Sequence, residues 1–534
     1  MVITQRGICA TSNALASQAG AKILEQGGSA ADAAIAANAV LGVVEPMMNG
    51  MGGDLFAIYR DSKTGRLTGL NASGPAPRAL SRDFITGRGF NAMADAGIHA
   101  VTVPGAVNGW AQMHAKFGKL AWPELFRAAI AYSGEGFPVS EIAQELWAAP
   151  ATIAKLQASS ESARVFLKRG LPPQQGEVFR NGDLAKAYGL IAREGADAFY
   201  KGSIAQAVLK TSGALGGLMT AEDLASYRAE WVEPISTNYR GWRVYELPPN
   251  GQGIAALEML NIMQVLGGEA LGVGGQGAGP FEAAEIHKRI ESMKLAYADA
   301  YRYNADPRMA KVPLETLLSK EHARERAALV HPRKANGDVP AAKISRSDTV
   351  YLAVVDREGN IASWIQSIFA AFGSGITVDG MGFVLQNRGA GFSLDPEHPN
   401  VLAGGKRPYH TIIPGFMERG DQHVGFGIMG GANQPLAHAQ FVSNVVDYGM
   451  NLQQAVEAPR FFKGESSGCN VAMEARVPEA TLAELSSMGH VISVRPEYSQ
   501  EMGRGQAVMH RSDTKVNYGA SDARSDGAAT PEAI

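Results

Sequence analysis

The chain has 534 residues, 46% hydrophobic and 19% charged, with a formal net charge of −3 at neutral pH. That balance supplies a large core and excludes a nucleic-acid or anionic-membrane partner, because the lysines and arginines are scattered and form no basic stripe. Cys9 and Cys469 are the only cysteines, too few for a disulfide framework or a zinc site and consistent with a reducing compartment. The first residues lack the charged and apolar regions of a secretory signal, and no window offers about 18 uninterrupted apolar residues, so a cytoplasmic protein is expected.

Ala14 to Gln26 carries helical spacing at Leu15, Ala19, Ile23 and Leu24 and is closed by Gly27-Gly28. Ala30 to Val44 is a second helix, almost wholly small and apolar and therefore buried. Asn49 to Asp54 is a glycine loop leading into a strand at Leu55 to Tyr59, read either as a turn that glycine alone can make or as a backbone wall beside a ligand. Residues 100 to 240 read mostly as helices, with starts at Pro104-Gly105-Ala106, at Trp122-Pro123-Glu124 and at the capped Thr220. Trp242 to Leu247 reads as a strand, and Ile254 to Leu266 and Ala283 to Tyr301 as long helices. Gly272 to Gly277 matches a dinucleotide-binding pattern letter for letter, but it follows a helix and precedes Pro280, so it reads as a connection and no cofactor is expected. There is no metal-ligand cluster in the sequence pattern.

His331 to Ser347 is the one clear linker, punctuated by Pro332, Asn336, Gly337, Asp338 and Pro340. The chain then breaks at Asp348-Thr349 and runs apolar from Val350 to Val355. Asp356 to Asn360 supplies hairpin-turn signals, and Ile361 to Ile368 reads as the partner strand. Thr349 therefore stands at the start of a buried strand just after a polar linker. If the bond before it were cut, one residue would carry a hydroxyl and a free α-amine, the smallest nucleophile-plus-base unit a protein can build. Further on, Phe383 to Asn387 reads as a strand end, Gly404 to Thr411 as a loop, Val424 to Met429 as a strand, Leu436 to Val446 as a helix and Gly519 to Ile534 as a loose tail.

With these segments placed, the chain resembles the γ-glutamyltransferase family of N-terminal nucleophile (Ntn) hydrolases. The likeness is carried in order by Ala16 to Gly20, Gln26 to Ala34, Gly42 to Pro46, the Gly50 to Gly53 loop, Val103-Pro104-Gly105, Met293 to Asp299, Asp348-Thr349 and Val354 to Asn360. Phe372 to Gly375, Lys406-Arg407-Pro408, Gly430-Gly431 and Gly519 to Asp522 complete it. The resemblance implies an α+β fold, a four-layer αββα sandwich, with self-cleavage before Thr349. Residues 1–348 would form a large subunit ending in the linker at 331–348, and residues 349–534 a small one, the two staying interlocked. The assembly could extend to a dimer of these heterodimers. A buried threonine hydroxyl is a poor nucleophile, but a terminal amine with a reference pKa near 8 can take its proton. By the same resemblance, Ser367 steadies that amine, and Gly430 and Gly431 supply the backbone N–H donors of an oxyanion hole.

Where the family grips a glutamyl donor, this chain departs. The family's arginine position, in the loop after the first strand pair, is Asn71; the acidic position is Gly391; the asparagine position is Phe369; the serine pair is His410 and Thr411; and a glutamine position is Arg388. Without an acid the donor's ammonium would be desolvated and unpaired, and without the arginine its carboxylate loses a bidentate clamp. Arg388 is read either as a relocated anion clamp or as a solvated surface arginine, and His410 either as a ligand or as a core or loop histidine hydrogen-bonded to backbone. The pattern points to hydrolysis of a small amide whose acyl part bears a carboxylate but no α-ammonium, such as oxamate. A genuine γ-glutamyltransferase or glutathione hydrolase, and an uncleaved non-catalytic relative, are the alternatives.

Overall fold

A computed structural model of the protein describes residues 1–267, 279–340 and 348–533. The Gly272 to Gly277 pattern and the last part of the linker, 341–347, lie outside the described residues.

Fourteen strands build two facing sheets: β1 (Val2–Thr4), β2 (Ile8–Thr11), β3 (Asp54–Arg60), β4 (Leu67–Ala72), β5 (Glu230–Val232), β6 (Ile235–Tyr239), β7 (Trp242–Glu246), β8 (Asp348–Val355), β9 (Ile361–Phe369), β10 (Gly415–Arg419), β11 (Gln422–Met429), β12 (Arg504–Arg511), β13 (Val516–Ser521) and β14 (Ala528–Pro531). One sheet runs β14-β2-β8-β9-β3-β4-β5 and the other β1-β13-β12-β11-β10-β7-β6. All their pairings are antiparallel.

The apolar run that marks β8 has no polar face because both of its faces are covered. Val350, Leu352 and Val354 point into a core shared with the helix Ala30–Val44, whereas Tyr351, Ala353 and Val355 point at the second sheet. On β9, Ala362 and Trp364 take the helix side and Ile361 and Ile365 the sheet side. The second sheet mirrors this: Val424, Phe426 and Ile428 of β11 pack on the helices Gly253–Gly267, Ala283–Tyr303 and Gln434–Val446. The layers are helix, sheet, sheet, helix, the αββα sandwich. Close approach of the sheets depends on Gly427, where a Cβ would lie 2.3 Å from the Tyr351 ring.

The helix Ala30–Val44 is buried along its whole length and begins with a capping box between Ser29 and Asp32. Among the described residues no helix is long and apolar enough to cross a membrane, and both cysteines are free thiols.

Three sequence expectations are corrected. The tail is not loose: β13 and β14 lie in it, β14 pairs with β2, and Asp522 beside them is held by Arg460. Phe383 to Asn387 forms no strand, only an isolated bridge between Thr377 and Val384. Asn71 sits within β4, paired with Phe56, and not in a loop. The described part of the linker is tied down, with Ala335 N donating to Met488 O, Gly468 N to Gly337 O and Ser466 Oγ to Pro340 O.

Candidate active site

Thr349 is fully buried at the start of β8, and its Oγ1 has no hydrogen-bond partner among the described residues. A register irregularity between Asp348 and Val350 sits at this residue. Across the ladder, Ser367 near the end of β9 donates from Oγ to the carbonyl oxygen of Asp348 at 2.8 Å, the carbonyl of the bond that precedes Thr349. The same hydroxyl oxygen accepts from Phe369 N at 2.8 Å and from Arg388 Nη2 at 3.0 Å. Two donors into the oxygen leave its own proton directed at the Asp348 carbonyl.

Arg388 is no surface arginine: it is completely buried. Nη1 donates to Thr411 Oγ1 at 2.8 Å, and the guanidinium lies 4.3 Å from the centroid of the Phe369 ring. Burial presses its pKa down to about 9, against the attraction of Asp54. Asp54 opens β3. Its Oδ1 accepts from Gly74 N, Gly105 N and Gln386 Nε2 at 2.9–3.1 Å. Oδ2 meets His410 Nε2 at 3.0 Å. Burial pushes the Asp54 carboxyl up to about 7, opposed by Arg388 and its hydrogen bonds. Burial, with Arg388 and Arg407, pushes the His410 imidazole well below its ordinary value. His410 is therefore a core histidine held by backbone as well as by Asp54, with Ile412 N donating to its Nδ1 at 3.4 Å.

Two cavities flank this place. One, of about 280 Å³, is lined by Thr349, Asp348, Gly430 and Arg504 among others. The other, of about 240 Å³, is lined by Phe369, Gly391, Thr411 and Ala432, with Asp95 at its exposed mouth. The turn Gly430 to Ala432 separates them, with φ of 142° at Gly430 and 63° at Gly431. Phe369 (φ 77°) and Phe372 (φ 51°) also hold left-handed backbone that non-glycine residues seldom adopt, a strain that tends to collect at functional sites.

Of the residues singled out in the sequence, Thr349 and Gly430 line the first cavity, and Phe369 and Thr411 the second. Ser367, Arg388 and His410 lie in the hydrogen-bonded layer next to them, and Gly431 follows Gly430 in the turn. Asn71 stands one step back, its amide bonded to Asn250 at 2.9 Å and to Ser73 at 2.7 Å. Sequence reasoning missed Asp54 and Arg504. A carboxylate closing a glycine loop was the signal for Asp54; nothing local marked Arg504. Two groups with metal-ligand chemistry, His287 with Glu291 and His490, and Glu258 with Asp299 and His322, come together only in three dimensions.

Two sheets face to face between helical layers, with a threonine opening an inner strand beside a serine hydroxyl and a glycine turn, define the Ntn class of hydrolases. A family model described as Gamma-glutamyltranspeptidase matches residues 16–532, and the chain belongs to that family of enzymes. It is 36% identical over 536 residues to the glutathione hydrolase-like YwrD proenzyme of Bacillus subtilis strain 168, covering 99% of both chains. It is 32% identical over 541 residues to the oxamate amidohydrolase proenzyme of Klebsiella pneumoniae, covering 99% of this chain and 98% of that one. Among solved structures, the cephalosporin acylase from Bacillus halodurans superposes with a TM-score of 0.92 at 40% identity, over 99% of this chain and 96% of that one.

Proposed function

We propose that the protein is a proenzyme that cuts itself before Thr349 and then hydrolyses a small amide through a threonyl ester, the acyl half of the amide bearing a carboxylate but no α-ammonium, as in oxamate. The observation that carries this reading is the Ser367 hydroxyl on the carbonyl of Asp348, backed by the buried charge of Arg388. In the first step Thr349 Oγ attacks the Asp348 carbonyl carbon. The negative charge that develops on the carbonyl oxygen falls on the Ser367 proton, where a preorganised donor acts most strongly. The C–N bond breaks, the nitrogen takes the Oγ proton and becomes the α-amine, and water hydrolyses the Asp348 ester. In the second reaction that amine receives the Oγ proton during attack on the substrate carbonyl and passes it to the departing amine. Water then releases the acid. The oxyanion role of Gly430 and Gly431 and the contact of Phe369 and Thr411 with substrate belong to this proposal.

The substrate class follows from the charges present. Buried guanidinium groups are at hand, whereas nearby carboxylates are engaged: Asp54 by two backbone amides, Gln386 and His410, Glu45 by Ser12, Glu501 by Arg495 and Glu145 by Gln500. Asp95 favours a second reading: at the mouth of the second cavity it could meet the ammonium of a γ-glutamyl donor.

N-terminal sequencing and intact mass of purified protein test the first half, and the expected new chain begins Thr-Val-Tyr-Leu. Thr349→Ala is expected to remain one chain without activity. Full activity from unbroken polypeptide would refute the scheme. Turnover of oxamate against γ-glutamyl-p-nitroanilide by the cut protein decides between the two substrate readings.

A further inference from the structure

The cavity shared with Thr349 contains a second buried guanidinium. Arg504 is the first residue of β12, is 5% exposed, and pairs in register with Met429, directly before the glycine turn. Its Nη2 rests on Met48 Sδ at 3.3 Å, a weak acceptor, and its Nη1 is buried with no partner among the described residues. Arg388 differs: its two Nη atoms are occupied by Thr411 and Ser367. Arg504 therefore keeps N–H groups to offer, and a buried guanidinium left unpaired is costly enough to call for an anion.

Two carboxylates lie within its electrostatic reach. Burial raises the Glu45 and Asp348 carboxyls, and Arg504 pulls against that rise in both. Glu45 is already engaged by Ser12 Oγ at 2.6 Å. Three carboxylates line the Thr349 cavity with Arg504: Glu501 pairs with Arg495 Nε at 2.7 Å, Glu145 accepts from Gln500 Nε2 at 2.6 Å, and Asp348 is the third. Asp348 is also the acyl half of the bond before Thr349. Its carbonyl rests on Ser367, its carboxylate, two carbons away, is attracted by Arg504 and Lys155, and its nitrogen is a peptide amide without charge.

We propose that Arg504 and the cavity it floors bind the carboxylate of the substrate's acyl half, so that the preferred substrate is an amide of a four-carbon dicarboxylic acid. The proposal rests on Thr349 as nucleophile and deepens that reading. The chain's own first substrate, an aspartyl amide, shows the geometry: stripped of its nitrogen, Asp348 is a succinyl group. Once the bond is broken, Asp348 can withdraw and leave its place to a free acid amide. Oxamate carries its carboxylate directly on the carbonyl carbon and cannot reach as far.

The test uses cut, purified enzyme with succinamate, its methyl ester, and oxamate. Wild type is expected to prefer succinamate to both others, and succinate to inhibit competitively where monomethyl succinate does not. Arg504→Gln is expected to raise KM for succinamate by about tenfold to a hundredfold, the effect of a lost charge-assisted hydrogen bond. The KM for the methyl ester should change far less, and Arg504→Lys should restore part of the loss. Unchanged preference in Arg504→Gln, equal losses on acid and ester, or transfer of the effect to Arg388→Gln would overturn the proposal. So would cut wild-type enzyme that favours oxamate or turns over no acid amide, while leaving Thr349 in place. Protein that never cuts would instead remove the Thr349 reading itself. Should Arg504→Gln fail to fold, inhibition of the wild type by succinate decides alone.

Discussion

Ser367 Oγ donates to the carbonyl oxygen of Asp348 across the β8–β9 ladder, so that a side chain of one strand reaches the bond beside the candidate nucleophile on its paired neighbour. Removing that hydroxyl tests whether it acts on the reaction. Ser367→Ala is expected to slow scission by about a hundredfold to a thousandfold, the usual cost of one oxyanion donor. Ser367→Thr, which keeps the hydroxyl, should stay within a few-fold of wild type. A time course on denaturing gels reads both, and equal rates for Ala and wild type would remove Ser367 from the mechanism.

Gly53 tests the same bond from behind. A Cβ there would lie 2.3 Å from the Ser367 carbonyl oxygen and 2.9 Å from Ile368 Cγ2, and backbone cannot swing aside as a side-chain tip can. Gly53→Ala is expected to cost roughly 1–3 kcal/mol, as overpacking does, and to slow self-cleavage by displacing Ser367. Denaturant melts with a parallel cleavage assay check it. Normal stability and cleavage together would show that the strand end yields freely.

Asp54 and His410 set a pH signature. Both avoid charge in the dry interior, so the folded pair holds one proton. Between about pH 4 and 6.5 the unfolded chain also holds one, on the histidine, so the pair gives wild type little slope there. Above that window wild type loses stability as pH rises and the raised Asp54 gives up its proton near 7. In Asp54→Asn only His410 remains, neutral when folded and charged when unfolded, so stability falls on acidification through 6.5 by up to about 1.4 kcal/mol per pH unit. Melts of Asp54→Asn in an uncut Thr349→Ala background, at about pH 5 and about pH 7 against the Thr349→Ala parent, should diverge in that direction. Parallel profiles would count against a shared proton.

Asp522 anchors the tail. Its carboxylate meets Arg460 Nη2 at 2.6 Å and Arg524 Nη1 at 2.9 Å, all three buried. Burial works against this charge, but the two guanidinium groups hold the carboxyl below its usual range. Asp522→Ala leaves two buried cations short of a partner and is expected to cost about 3–5 kcal/mol. Chemical denaturation measures it; a loss under about 1 kcal/mol would mean that strand pairing alone holds the tail.

What could be read from the sequence follows physical range. The apolar run from Val350 to Val355, its hairpin turn and the almost wholly apolar helix Ala30–Val44 are local patterns, and the structure contains them as read. The resemblance put Ser367, Arg388, His410 and Thr411 with Thr349 by order along the chain; in the fold Arg388 bonds both Ser367 and Thr411, and His410 sits on Asp54. Asp54 escaped because its partner His410 is 356 residues away, and pairing at that distance leaves no trace in spacing. Ala528 to Pro531 reads as a tail because small residues at a sheet edge show no apolar alternation, although β2 fixes them as a strand. Arg504 between Gly503 and Gly505 looks like turn sequence until its neighbours in the fold are known.

Both sheets interleave strands from the two sides of Thr349. Residues before it contribute β2, β3, β4 and β5 to one sheet and β1, β6 and β7 to the other, and residues after it contribute the rest. Neither portion could acquire its architecture in isolation, so conformational assembly must come before any severing of the backbone. A severed molecule would then behave as a one-way product: once denatured, its halves would carry orphaned strand edges and no tether to reunite them, and renaturation would fail where the unsevered parent succeeds.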